Sequence, residues 1–295
     1  MASERNERPV DLHIHTTASD GSLSPLDLPC EVRRSGLAAF SITDHDTIAG
    51  VQELLDAGLP SDLSFITGLE ISATPPENIR ISEELHILGY GIDVKDKKLN
   101  LLMEELRTAR MERNPKMVAR LQSMGLDISL EEVAEKAGGK VVGRPHMAQV
   151  LVDKKIVPDS QTAFQRYLGK GCPAYVDKYR VPWKEAIQTI DEAGGLAVLA
   201  HPGMIPQMQD HHALERLLLT LKEGGLRGVE VYYTQHKAGF VKNLEKIAEK
   251  LGLLMTGGSD FHGTFKEDIR LGTGHGNLFV PFFLYEKLLE ALKKG

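Results

Sequence analysis

The sequence predicts an α/β fold: a parallel sheet or barrel with helices outside, interrupted by a helical insertion. Three observations predict it. Short apolar runs of strand length alternate with helical patterns in the first third of the chain and again after about residue 183. Between them, residues 97–168 are rich in charged helix formers and carry no strand pattern. Finally, 295 residues suit one barrel with an insertion, because α/β barrels run to about 250 residues as one unit.

The elements follow in order. Residues 10–16 alternate toward a short strand. Ser24 and Pro25 read as an N-cap followed by proline at the first helical position, opening a helix that runs to about Gly36. Residues 38–43 are a short apolar run bounded by polar residues, a buried strand. Residues 46–58 read as a helix, with strands at 65–73 and 85–92. After the insertion come helix 183–192, strand 196–200, helix 213–223, strand 228–233, helix 237–251, strand 253–256 and a last helix 285–294. The expected organisation is a discontinuous barrel, 8–96 and 180–295, with 97–179 as a helical insertion over the site.

Composition excludes several classes. With 35 basic and 41 acidic residues the formal charge is −6, which argues against coating nucleic acid or an anionic membrane by bulk charge. No stable nucleic-acid complex is expected. No window approaches ~18 uninterrupted apolar residues, so no membrane span is expected. The N-terminus is charged and lacks an apolar core, unlike a secretory signal. Cys30 and Cys172 stand alone, as small residues in a reducing compartment do. These features together predict a cytoplasmic protein.

The eleven histidines are the other compositional signal. His13 and His15 lie two apart on a predicted strand, so both face one side. An isolated pair of this kind is equally two polar strand residues, but the context adds to it. Asp20 follows within a turn. The next strands end in Asp44-His45-Asp46, carry Glu70, carry His86, end in His201 and end in Asp260-Phe261-His262. In parallel barrels the C-terminal strand ends converge on one face. Nine ligand-type side chains exceed what one ion takes, so they suit two or three divalent ions. Imidazole with carboxylate favours zinc, manganese or iron over magnesium or calcium.

These residues resemble a known family, the PHP (polymerase and histidinol phosphatase) phosphoesterases. The segments that carry the resemblance are Asp11-Leu12-His13-Ile14-His15-Thr16, Ser19-Asp20-Gly21, Thr43-Asp44-His45-Asp46-Thr47, Gly68-Leu69-Glu70, Glu84-Leu85-His86, His201-Pro202-Gly203 and Gly258-Ser259-Asp260-Phe261-His262. Within the family the chain is similar to the branch that dephosphorylates 3′,5′-nucleoside bisphosphates and trims short RNA from the 5′ end. The insertion, Gly143-Arg144-Pro145-His146 and Tyr175-Val176 fit that branch. The resemblance implies a distorted (β/α)7 TIM-like barrel and two or three divalent metal ions, often manganese. It implies nine metal ligands: His13, His15, Asp20, His45, Glu70, His86, His201, Asp260 and His262. Glu70 is the expected bridging carboxylate.

Phosphoester hydrolysis needs a nucleophile, a clamp for phosphoryl charge and help for the leaving oxygen. A metal cluster lowers the pKa of bound water from ~16 to about 7 and holds phosphoryl oxygens. The expected nucleophile is therefore metal-bound water as hydroxide, attacking in line without a covalent phosphoenzyme; the general acid is left unassigned. Cationic contacts are expected from the insertion. Arg107, Arg110, Arg113, Lys116 and Arg120 recur at three- or four-residue steps along one helix face. Arg107 and Arg120 read as solvated. Arg113-Asn114 precedes Pro115, which suggests a helix irregularity pointing inward. Arg144, His146 and Lys178 complete the expected phosphate contacts. His211, His212 and His275 read as surface residues, and Tyr232, Tyr233 and Phe240 as core packing.

The function expected is a metal-dependent phosphatase on small nucleotides, with short RNA as a further substrate. Alternatives are a histidinol-phosphate phosphatase, which does not obviously share the insertion, and a metal-dependent amidohydrolase, which normally shows a carbamylated lysine. A non-enzymatic PHP module is a fourth reading, against which the full ligand set counts.

Overall fold

A computed structural model describes residues 8–82, 84–137 and 142–294. The N-terminal residues 1–7 and the insertion residues 138–141 lie outside them. Seven strands among the described residues form one nearly closed, barrel-like sheet. They are β1 (Val10–Asp11), β2 (Ala39–Ile42), β3 (Ser64–Thr74), β4 (Leu85–Tyr90), β6 (Leu196–Leu199), β7 (Gly228–Tyr233) and β8 (Leu254–Gly258), hydrogen-bonded in that order. A two-residue β5 (Val181–Pro182), absent from the sequence expectation, pairs with the end of β3. The sheet approaches closure through the chain that continues β1 and β8. Leu12 N–H donates to the Gly257 carbonyl, Asp260 N–H to His13 and His15 N–H to Phe261. Gly258 permits this approach: a Cβ there would lie 2.3 Å from His13 Cβ.

The sheet is not all parallel, which corrects the expectation. β4 runs antiparallel to both β3 and β6, while the other neighbours are parallel. Among the described residues no helix separates β3 from β4, and a parallel return needs a crossover of a dozen or more residues, so the chain turns straight back. Residues 97–179 then lie between β4 and β5. The reversal has a consequence for the site: a residue near the start of β4 lies at the same end as residues following the parallel strands.

Helices α1 (Leu28–Arg34), α2 (Ala49–Ala57), α7 (Trp183–Glu192), α8 (His211–Glu223), α9 (Ala238–Leu251) and α10 (Phe282–Leu292) belong to the barrel segments. Three begin three residues from their expected starts. Ser24 closes a turn through its carbonyl, and α1 starts only after Asp27. Asp46 adopts φ 55°, so helical geometry waits until Ala49. The last helix starts at Phe282 behind Pro281.

The insertion contains α3 (Lys97–Ser123), α4 (Leu130–Lys136), α5 (Arg144–Asp153) and α6 (Ser160–Ala163), the last running into a π-helical turn, Phe164–Leu168. α3 is one 27-residue helix with Pro115 inside it. Its two halves are held separately. Leu99, Leu102, Met103 and Leu106 pack into the barrel's outer core, and Met117, Val118 and Leu121 into a second core made only of insertion residues. Packing on both sides of the proline compensates for its missing N–H.

Candidate metal centre

The site lies at the barrel end where the parallel strands finish. His13 and His15 follow β1 and are fully buried. His45 follows β2, His201 follows β6, and Asp260 and His262 follow β8. Glu70 lies within β3 and His86 is the second residue of the reversed β4. Asp46, His201 and Asp260 all have positive φ, at 55°, 25° and 58°. Such backbone costs about 1–3 kcal/mol per residue and persists where surroundings over-determine it. It falls where the chain leaves β2, β6 and β8.

Glu70 sits at the centre. Its Oε1 is 3.0 Å from His86 Nδ1 and 3.1 Å from His201 Nε2. Its Oε2 is 2.9 Å from His45 Nδ1, 3.3 Å from His15 Nε2 and 3.4 Å from His13 Nε2. Asp260 Oδ1 lies 3.2 Å from His15 Nε2 and 3.5 Å from His262 Nδ1. Asp20 Oδ1 lies 3.5 Å from His262 Nε2 and 3.6 Å from His15 Nδ1. The sequence-predicted ligands thus all come together, in four overlapping groups able to hold a cation. These are His15-Asp20-His45-His262, His13-His15-Asp260, His13-Glu70-His201 and His45-Glu70-His86.

The chemistry of the donors fits a metal. His13 Nε2 and His15 Nε2 approach to 3.1 Å. His15 Nδ1, His45 Nδ1, His86 Nε2 and Glu70 Oε2 are buried without an aligned hydrogen-bond partner among the described residues. Orphaned buried polar atoms are costly, and a cation would satisfy them together. The field agrees. Burial should depress the imidazole pKa values, yet Glu230 and Glu70 hold His13 well above its ordinary value. His15 is raised to about 9 and His86 to about 10 by neighbouring carboxylates that outweigh burial. At His45 burial wins, taking it down to about 4. Glu70 and Asp20 stay well below the usual carboxylate range because surrounding imidazoles outweigh burial.

A second ring orients the first. Glu230 Oε1 lies 2.9 Å from His13 Nδ1, and Oε2 accepts from His201 N–H at 2.8 Å. This fixes His13 with Nε2 toward the cluster, the arrangement that steadies metal-ligating histidines. Asp44 accepts from Thr16 N–H at 2.7 Å and Ser19 Oγ at 2.6 Å, shaping the loop that delivers Asp20. Asp11 does the same for the loop after β8, through Ser259 N–H and Gly272 N–H. Burial raises both of these carboxyls. Tyr233 corrects an expectation: it is buried, but its hydroxyl donates to Asp260 Oδ2 at 3.0 Å. Glu230, Tyr233 and Lys266 were not legible as site residues. Glu230 and Tyr233 lie within β7, and Lys266 lies beyond the β8 motif; only their position beside the histidine-bearing strands marks them.

Above the cluster opens a cavity of about 300 Å³, bordered by Asp20, His45, His86 and His262 below and by insertion residues above. Its cations are Arg110, Arg113, Arg144, Lys178 and Lys266. Arg113 is 7% exposed, its Nε has no partner among the described residues, and burial with neighbouring Arg110 and Arg144 brings its pKa down to about 10. Arg144 lies over the rings of Phe164 and Tyr175. Arg110 Nη2 and Lys178 Nζ lie 2.8 and 3.0 Å from Asp46 Oδ2. The other two expected phosphate contacts each make a hydrogen bond within the insertion. Asn114 Nδ2 donates to the Val142 carbonyl at 2.8 Å, and His146 Nδ1 accepts from Gly143 N–H at 3.0 Å, capping α5. Arg107 pairs with exposed Glu104, and Arg120 reaches the Tyr175 carbonyl. His211, His212 and His275 are exposed, while His236 is buried between Tyr233 and Phe240.

Comparison with known proteins agrees with this geometry. The chain is 32% identical over 254 residues to a 3′,5′-nucleoside bisphosphate phosphatase of Chromobacterium violaceum, covering 86% of this chain and 87% of that one. It is 32% identical over 252 residues to a 5′-3′ exoribonuclease of Haemophilus influenzae, covering 85% and 89%. A solved structure from Bifidobacterium adolescentis, assigned as a metal-dependent phosphoesterase, superposes with a TM-score of 0.83 at 29% identity over 96% of each chain. A family model described as PHP domain matches residues 11–167, more than half of the chain and four of the strands that build the histidine cluster. The chain belongs to the PHP domain family.

Proposed function

We propose that this chain is a metal-dependent phosphoesterase that hydrolyses the phosphate monoester of small nucleotides. Its substrates in this reading are 3′,5′-nucleoside bisphosphates such as 3′-phosphoadenosine 5′-phosphate, taken to the 5′-monophosphate and phosphate. Short RNA, hydrolysed from the 5′ end, is the further substrate. The observation that carries the reading is the two-tier cavity: imidazoles and carboxylates that could hold cations at its base, and guanidinium groups at its wall, Arg113 with its buried Nε unpartnered among the described residues. A bisphosphate has two anionic ends and suits both tiers. The relatives' activities point the same way.

Two or three divalent ions, manganese with zinc or iron as substitutes, would be held by His13, His15, Asp20, His45, Glu70, His86, His201, Asp260 and His262. Once bound they supply Lewis acidity, activating water and neutralising phosphoryl charge. The protein's own residues do the rest. Glu230 keeps His13 turned inward. Arg113 and Arg144 take the phosphate that is not cleaved, Arg113 gaining the partner its buried Nε lacks. Lys178, paired with Asp46, lines the cavity as a further phosphate contact. In this reading 8–96 and 180–295 form the catalytic barrel, and 97–179 the cover that supplies the arginines.

The test is phosphate release by the manganese-reconstituted protein from 3′-phosphoadenosine 5′-phosphate, histidinol phosphate and a 5′-phosphorylated RNA oligomer. Metal-dependent release from the bisphosphate is expected. Release from histidinol phosphate alone, or from none, overturns the proposal.

A further inference from the structure

Lys266 lies just past the last of the histidine-bearing segments, and its backbone is fixed. It follows a short 3-10 turn, Gly263–Phe265, tied to the loop after Asp20 by Thr264 N–H to Ser22 Oγ at 2.8 Å. Its own N–H donates to the Gly263 carbonyl at 3.1 Å, and its carbonyl accepts from Ile269 N–H at 3.0 Å. From there the side chain doubles back, putting Nζ 2.7 Å from Asp260 Oδ2. The Tyr233 hydroxyl donates to the same oxygen. Asp260 therefore turns Oδ1 to the imidazoles and gives Oδ2 to two donors.

A counter-ion role accounts poorly for this lysine. The cluster beside it is built to receive divalent cations, and a fixed ammonium next to one of its carboxylates repels them. Neutral donors would satisfy Oδ2 without that cost, as Ser259 and backbone N–H groups satisfy buried Asp11. A cation is favoured there only if an anion joins the assembly. Lys266 has donors to spare for one: an ammonium offers three, and Asp260 is its single hydrogen-bond or ion-pair partner among the described residues. The side chain, 37% exposed, also borders the cavity next to Asp20 and His262.

We infer that Lys266 is a catalytic residue whose ammonium holds a non-bridging oxygen of the phosphoryl group under attack, an inference that rests on the phosphoesterase reading. In the step, the ester P–O bond breaks with its electron pair passing to the nucleoside oxygen, and a P–O bond to the water oxygen forms. One water proton ends on the nucleoside oxygen and the other stays on phosphate. Lys266 keeps its protons throughout. Its donors tighten as charge gathers on the phosphoryl oxygens, which is transition-state stabilisation.

The experiment compares Lys266→Met, Lys266→Gln and Lys266→Arg with the parent protein after manganese reconstitution. Three quantities are read: bound manganese per chain, kcat and KM on 3′-phosphoadenosine 5′-phosphate, and calorimetric affinity for inorganic phosphate. Unchanged manganese is expected, with kcat lower by about 10²-fold in the Met and Gln variants and KM raised by no more than about tenfold. Phosphate affinity should fall roughly tenfold in those two, as befits loss of one charged contact, and recover in the Arg variant. A kcat within about twofold of the parent, or a loss that simply follows lost manganese, overturns the inference. If the parent releases no phosphate from nucleotides, the phosphoesterase reading fails; weaker phosphate binding by the Met variant would then still support the contact, and unchanged binding would overturn it.

Discussion

The base of the cavity and its wall are built on opposite principles. At the base, ligand-type residues sit on or directly after strands, are mostly buried, and are oriented by carboxylates that are themselves buried, as Glu230 orients His13. At the wall, long side chains reach in from helices and loops of the insertion. Only some are anchored there: Arg110 and Lys178 by Asp46, Arg144 by two rings, while Arg113 keeps a donor free. Short side chains on strand ends give fixed distances, which multinuclear coordination requires. Long cations on a separate core tolerate shape change, which suits an exchanging substrate.

If the two tiers are distinct, variants should separate metal binding from substrate binding. Removing a base ligand is the largest perturbation. His13→Ala or Asp260→Asn should abolish turnover, as should chelation of the parent, with added manganese restoring only the parent; phosphate-release assays check this. Glu230→Gln should act one step out. It should weaken metal affinity by about 10–100-fold while leaving the fold intact, read by metal titration and thermal unfolding. Unchanged affinity would mean that the strand backbone alone orients His13.

At the wall, Arg113→Met should leave metal content alone and raise KM by about tenfold or more, the worth of a charged hydrogen bond, with kcat changed far less. A collapse of kcat at constant KM would blur the distinction between tiers. The smallest effect on chemistry is expected from the insertion's own core. Leu151, fully buried there, should cost about 2–5 kcal/mol of stability when cut to alanine, seen in denaturant unfolding. Bound metal should be unaffected, because that core holds no base residue.

Much of this was legible before any coordinates. Alternating strand and helix patterns placed nearly every barrel element, and histidines and carboxylates at strand ends marked all nine base residues. What was not legible depended on partners distant in sequence. The direction of β4 follows from the lack of a crossover helix, so His86 reaches the site from the start of its strand, not the end. Pro115 lies within α3, whose two sides pack into separate cores, a pairing the sequence does not reveal. Asn114 donates to the Val142 carbonyl, which only the folded insertion brings near, while His146 caps its own helix through the Gly143 N–H three residues back.

The sequence by itself determined the kind of chemistry, since imidazoles and carboxylates at matching strand positions are a local, countable pattern. The tertiary structure decided which groups support that chemistry. Glu230 lies 217 residues from the histidine it orients, and Lys266 gains its meaning from Asp260, Tyr233 and the cavity together. A side chain's role is set by the field and the partners around it, and folding supplies both.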